Sequence, residues 1–158
     1  MRLLIISAFL LFANCKSNSS EKLPLNFTGK VVGIKDGDTF QVLYQKQTIT
    51  VRLAHIDCPE KKQPFGKMAK QFASDLCFGK EVQVKSEGKT DRYKRIIATV
   101  YLGNICINEE LVKNGYAWHF IKYSNEQYYT QLESQARQKK LGLWADINPI
   151  APWSWREK

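Results

Sequence analysis

Three short clusters of charged residues border apolar runs in this chain of 158 residues: Lys35-Asp36-Gly37-Asp38-Thr39, then Arg52-Leu53-Ala54-His55-Ile56-Asp57-Cys58-Pro59-Glu60, then Thr90-Asp91-Arg92-Tyr93-Lys94-Arg95. Carboxylates brought from separate strand ends can hold a hard divalent cation through oxygen, and Ca²⁺ tolerates the irregular geometry of such a loop site better than Mg²⁺. A further carboxylate can activate water. Two arginines from different clusters can hold a phosphate bidentately and neutralise the charge that grows on its equatorial oxygens. These parts suffice to hydrolyse a phosphodiester. Taken alone, the DGDT stretch is an ordinary turn with Gly37 available for a positive φ, so the argument rests on the three clusters together. His55 and His119, the chain's only histidines, read as structural or surface residues, and no imidazole or thiolate cluster has zinc spacing.

The elements that must position these clusters follow from hydrophobic period. Val31-Val32-Gly33-Ile34, then Phe40, Val42 and Tyr44, then Ile49, Val51 and Leu53 alternate with polar neighbours, the signature of strands with one buried face. Gln45 to Gln47 joins the last two runs as an antiparallel hairpin. Ala69, Phe72, Ala73 and Leu76 then recur at helical spacing, with Gly79 placed to end the helix. Strands are expected over Glu81 to Lys85 and Ile96 to Leu102, with Gly103-Asn104 turning into a short strand at Cys106. Asn108 is expected to cap a short helix that runs to Asn114 and closes at Gly115. A longer helix fits Asn125 to Lys140, with Tyr129, Leu132 and Ala136 on one face and Gly142 beyond its end. The order predicts an α+β, mainly β fold: a five-stranded OB-like barrel with about three packed helices, an architecture that commonly binds oligonucleotides.

Composition sets the partner class. Lys and Arg total 24 against 15 Asp and Glu, a formal charge of +9, which draws polyanions such as nucleic acid or an anionic membrane. The length allows one domain with a real core. At the start, Met1-Arg2 followed by the apolar run Leu3 to Ala13 matches a secretory signal over residues 1–15. Phe12-Ala13-Asn14-Cys15 resembles a lipoprotein cleavage box, which makes Cys15 the expected lipidation site, with ordinary cleavage nearby as the alternative. Residues 16–26 then read as a flexible tether and 27–158 as the folded domain. The expected location is extracytoplasmic, membrane-anchored through Cys15 or secreted. Cys58, Cys77 and Cys106 form no CxxC pair and read as partly buried thiols, with a single bridge as the other option. Trp144, Trp153 and Trp155 form a proline-punctuated tail expected to pack back on the domain.

The order DGDT, VRLxxIDxPE, TDRYxR, INEELVKNGYA and GLWAD, from about Phe27 to the end, resembles the staphylococcal nuclease family. That resemblance implies an OB-fold nuclease that uses Ca²⁺ to cut DNA and RNA on the 5′ side of the phosphate, leaving 3′-phosphates. It further implies Asp38 and Asp57 as calcium carboxylates, the backbone carbonyl of Cys58 as a further ligand and Asp36 as a supporting acid. Glu60 becomes the general base, Arg52 and Arg95 grip the scissile phosphate, and Arg92, Tyr93 and Tyr123 are nucleotide-binding residues. The chain departs at Ile121, where the family's type member has a second tyrosine beside the one that Tyr123 matches, at Lys94, where glycine is common in the DRYGR loop, and at Cys58, where a small residue is usual. The rival expectations are a nuclease-fold binding module without turnover and a basic domain that adheres to lipid. No obligate protein partner is indicated.

Overall fold

A computed structural model describes residues 24–157. The expected signal over 1–15, Cys15 and most of the tether lie outside the described residues. Strand β1 (Asn26–Asp36) pairs antiparallel with β2 (Thr39–Tyr44), and β2 with β3 (Gln47–Leu53). A two-residue strand β4 (Ile56–Asp57) and helix α1 (Gly66–Cys77) follow. Strand β5 (Glu81–Thr90) then returns beside β1, and β6 (Ile96–Leu102) beside β5, both antiparallel. Parallel pairing of β3 with β6, from Val51↔Ile96 to Leu53↔Ala98, closes the barrel. The fold is the expected five-stranded OB barrel.

The alternation in the sequence fixes what faces inward. Phe27, Val31, Ile34, Phe40, Val42, Val51, Leu53, Val84 and Val100 line the interior, while their strand neighbours are more exposed, apart from Thr39, which is buried at the start of β2. Burying each such side chain contributes roughly 1.5–3 kcal/mol, so a one-residue slip of any strand would be heavily penalised. Beyond the barrel come β7 (Ile105–Cys106), α2 (Ile107–Lys113), β8 (Trp118–His119) paired to β4, and α3 (Gln127–Gln138). A 3-10 turn at Gly142–Ala145 and a short α4 (Pro152–Trp155) complete the chain. Helix α1 buries Ala69, Ala73 and Cys77, and α3 buries Tyr129, Leu132 and Ala136. Both stripes match the expected faces. The tail does pack back: Trp144 is buried and Trp153 stacks on Phe120 at 5.3 Å.

Two local expectations are corrected. Gly37 does not have a positive φ. It is required by crowding, since a Cβ there would lie 2.8 Å from Cys58 Sγ and 3.0 Å from the Ala69 Cβ. The DGDT turn is thus pressed against both the Cys58 segment and α1. Asn108 does not cap α2, whose N-cap is Cys106 with no side-chain cap bond. Its fully buried amide instead accepts from the Val100 N–H at 3.0 Å and donates to the carbonyls of Ala54 and Ala98. Those groups lie where the β3–β6 pairing ends, and an unpartnered amide is expensive inside a core, so the cross-link outweighs a cap at the surface. Cys58, Cys77 and Cys106 are free and buried. Burial pushes the Cys77 thiol up to about 12 and the Cys106 thiol to about 11, which makes them inert.

Candidate active site

The closed end of the barrel brings the first two clusters together. Thr39 pairs with Arg52 across β2 and β3, so the DGDT turn and the arginine share one rim. Arg52 then bridges the two carboxylates, with Nη1 2.9 Å from Asp38 Oδ2 and Nη2 2.8 Å from Asp57 Oδ1. Asp38 and Asp57 are both buried. Asp38 also accepts the Cys58 N–H at 2.6 Å, which ties the two clusters through the backbone. Burial pushes the Asp38 carboxyl up to about 7; Arg52 opposes the rise, while Asp36 and Asp57 add to it by like-charge repulsion. Burial alone would push the Arg52 guanidinium down, but Asp38 and Asp57 hold it above its ordinary value. Asp36 stands behind the pair, accepting the Asp38 N–H at 3.3 Å.

Glu60 reaches this rim on a loop shaped by α1. Gln63 accepts the Glu60 N–H at 3.0 Å through its side-chain oxygen, and its own N–H donates to the Glu60 carbonyl at 2.8 Å. Gly66, the first residue of α1, must lack a side chain because a Cβ would collide with the Glu60 carbonyl oxygen. The Glu60 carboxylate is partly exposed and pairs with Arg156 at 2.7 Å.

The third cluster arrives as a turn between β5 and β6. Asp91 holds it closed, accepting the backbone N–H groups of Tyr93 and Arg95 and pairing with the Arg95 guanidinium at 2.6 Å. Burial pushes the Asp91 carboxyl up, but the Arg95 hydrogen bonds outweigh it and the group sits below its ordinary range. Arg95 Nη1 then donates to Thr39 Oγ1 at 3.0 Å, and Thr39 Oγ1 lies 3.3 Å from Asp38 Oδ1. This places Arg95 one hydroxyl away from Asp38. Lys94 takes a left-handed φ of 60°, a conformation that glycine adopts freely. A groove of about 600 Å³ opens beside this turn, lined among others by Lys35, Asp36, Thr39, Tyr93, Lys94 and Arg95.

The structure therefore gathers Asp36, Asp38, Arg52, Asp57, Glu60 and Arg95 along one rim. Arg92 and Tyr93 lie on the exposed side of the turn, with the Arg92 guanidinium 4.8 Å from the Tyr93 ring centre. Tyr123 is exposed on the loop after β8, where it meets Phe120 and Lys122 rather than Tyr93. The histidines stand apart from these groups. His55 Nδ1 and His119 Nε2 both lie 3.0 Å from Ser124 Oγ, a structural link behind β4 and β8. Sequence reasoning missed Thr39, Gln63 and Arg156. Only Thr39 carried a signal, since it lies inside the DGDT stretch.

The sequence profile described as Staphylococcal nuclease homologue matches residues 50–146. The chain belongs to the staphylococcal nuclease family. As a family member it is a nuclease, a hydrolase acting on ester bonds. A Haemophilus influenzae protein named as an uncharacterized endonuclease is 44% identical over 99% of this chain and 86% of its own length. The micrococcal nuclease of Shigella flexneri is 45% identical over 83% of this chain and 81% of its own. An Escherichia coli protein, again named as an uncharacterized endonuclease, is 38% identical over 82% and 85%.

The donor chemistry of the rim fits a hard divalent cation in this family nuclease. Among the described residues no three His, Cys, Asp or Glu side chains converge into a cage of their own. Two buried carboxylates that repel one another, with Asp36 nearby, supply hard oxygen donors but too few to enclose an ion. Such a half-site suits a cation that completes its shell with water and substrate oxygens.

Proposed function

We propose that this nuclease is a calcium-dependent enzyme that hydrolyses phosphodiester bonds in DNA and RNA, leaving 3′-phosphates, outside the cytoplasm. The observation that carries the reading is the rim itself: two buried carboxylates bridged by Arg52, with Glu60 and Arg95 brought to the same edge. Asp38 and Asp57 would hold the ion, joined by the Cys58 carbonyl. Bound there, calcium would supply positive charge to the phosphate oxygens and lower the barrier to attack.

The chain's own groups account for the remaining chemistry. Glu60, partly exposed at the mouth of the rim, accepts a proton from the attacking water as the new P–O bond forms. Arg52 and Arg95 donate to the non-bridging phosphate oxygens, where charge accumulates as the P–O5′ bond breaks and the 5′ oxygen leaves, taking a proton from solvent water. Asp36 supports the rim through the Asp38 N–H. Arg92, Tyr93 and Tyr123 offer cationic and aromatic surface to neighbouring nucleotides, and the excess of basic residues steers the polyanion in. A leader cleaved before Cys15 would support export, with lipid at that cysteine tethering the nuclease to the membrane.

Plasmid and single-stranded DNA incubated with Ca²⁺, with Mg²⁺ and with chelator test this reading. Cleavage is expected with Ca²⁺ and falls to background in chelator. Cleavage undiminished by excess chelator would refute the metal assignment. Mass spectrometry of the native N-terminus tests the anchor, and an unmodified terminus beyond Cys15 would refute it.

A further inference from the structure

The last described residues reach back to the rim in a way that neither the family motifs nor the mechanism uses. Arg156 lies at the end of α4 and places Nη2 2.7 Å from Asp57 Oδ2 and Nη1 2.7 Å from Glu60 Oε1, with Nη1 also 3.3 Å from Asp57 Oδ1. Asp57 Oδ1 is at the same time bound by Arg52 at 2.8 Å. Both oxygens of Asp57 and one of Glu60 are therefore engaged by guanidinium groups.

This contact is built rather than casual. Gln63, buried, accepts the Glu60 N–H with one end of its amide and donates to the Ile150 carbonyl at 2.6 Å with the other, fastening the start of the strap to the Glu60 loop. Pro152 is buried at the first turn of α4. Trp153 lies flat on Phe120 at 5.3 Å and edge-on to Trp118 at 5.5 Å, and Trp118 is the strand partner of Asp57. Two anchors thus precede the arginine, one tied to the Glu60 loop through Gln63 and one packed on Trp118, the strand partner of Asp57. The Arg156 side chain nonetheless remains 41% exposed, so it can leave without opening the core.

We infer that Arg156 is a functional residue of this site, an internal cation that a divalent metal must displace from Asp57 and Glu60, and that it thereby sets the metal affinity. The inference rests on the reading that Asp57 holds the ion. Arg52 leaves Asp57 Oδ2 open and Arg156 occupies it, so a metal ligated through that oxygen must displace Arg156, and a Glu60 oxygen bound to Arg156 is not free to accept a proton from water. When binding requires a competing internal contact to open, the apparent dissociation constant is the intrinsic one divided by the open fraction. Coupling is reciprocal, so metal binding also releases the strap. The freed arginine then stands at the rim, facing the anionic substrate.

Calorimetric titration of CaCl₂ into the full chain tests this, comparing wild type with Arg156→Gln, Arg156→Lys and Trp153→Ala. Arg156→Gln is expected to bind Ca²⁺ about tenfold more tightly, within the usual range of coupling between two sites. Arg156→Lys should fall between it and wild type. Trp153→Ala, which unseats the strap without touching a carboxylate, should tighten binding as well, which guards against a local artefact at Arg156. Equal or weaker affinity in both Arg156→Gln and Trp153→Ala, with wild type binding normally, would overturn the role of the strap alone. Absence of Ca²⁺ binding in every variant would overturn the calcium reading and the strap together.

Discussion

Arg52 and Arg95 are held in place by different parts of the molecule. Arg52 sits near the end of β3, paired across the sheet to Thr39 and Ile97, and its guanidinium is enclosed between two buried carboxylates. Arg95 closes a surface turn, and its partner Asp91 comes from that same turn. The closed barrel builds the first into the fold, whereas a local ion pair sets the second. The site thus joins a half built into the barrel end, Asp38, Arg52 and Asp57, to a half on loops and the C-terminal strap, Glu60, Arg95 and Arg156, held by more exposed ion pairs.

The largest effect expected from this contrast is on stability. Arg52→Ala leaves two buried carboxylates without their shared cation and should cost about 3–5 kcal/mol, the scale for breaking a buried pair. Arg95→Ala removes a partly exposed pair and should cost about 1 kcal/mol or less, while still depressing turnover. Urea unfolding of both variants measures the difference. Similar losses from the two would show that the rim is not divided in this way.

The barrel half was legible in the sequence because strand period and turn chemistry specify it. The alternation through Phe40, Val42, Val51 and Leu53 predicts which residues face inward, and the two charged clusters lie where those runs end. What escaped was what depends on distance across the fold. Arg156 meets Glu60 across 96 positions of sequence, and no periodicity joins them. Asn108 looked like a helix cap because its residue type and position suit one, yet the orphan backbone groups at the barrel seam were the stronger demand. Gly37 looked like a turn glycine, and the reason for it proved to be Cys58 pressing from the next cluster.

A second, smaller effect separates the core behind the rim from its surface. Burial holds the His119 imidazole below its ordinary value of 6.5, reinforced by His55 and opposed by Glu133. As pH falls below about 6.5 the unfolded chain takes up a proton that the buried ring refuses, so stability should decline, with a slope from this group of at most about 1.4 kcal/mol per pH unit. The decline levels off once the folded imidazole itself titrates. His119→Gln should flatten that part of the profile relative to wild type. An unchanged pH profile in the variant would place the titration elsewhere.

The smallest effect sharpens the loop half. Lys94 holds a left-handed backbone at roughly 1–2 kcal/mol of strain for an L-residue, so Lys94→Gly should stabilise the chain by about 1 kcal/mol. It also removes one positive charge beside the groove, so binding should weaken slightly and less at high salt. Thermal melts and salt-dependent binding check both. Destabilisation on adding glycine would mean that the Lys94 side chain, rather than the turn, holds the loop.

Single-turnover cleavage of DNA by Glu60→Gln, in saturating Ca²⁺ and beside a melt of the same variant, tests the central claim most directly. The substitution keeps size and a hydrogen-bond acceptor for Arg156 but removes the proposed proton acceptor from the loop half. The rate should fall by about 10² or more, the scale of general-base loss, with the melting temperature and nucleic-acid affinity nearly unchanged. Cleavage at the parental rate would contradict the account, because the rim that gathers Asp38, Arg52, Asp57 and Glu60 would then not be where the phosphodiester is cut.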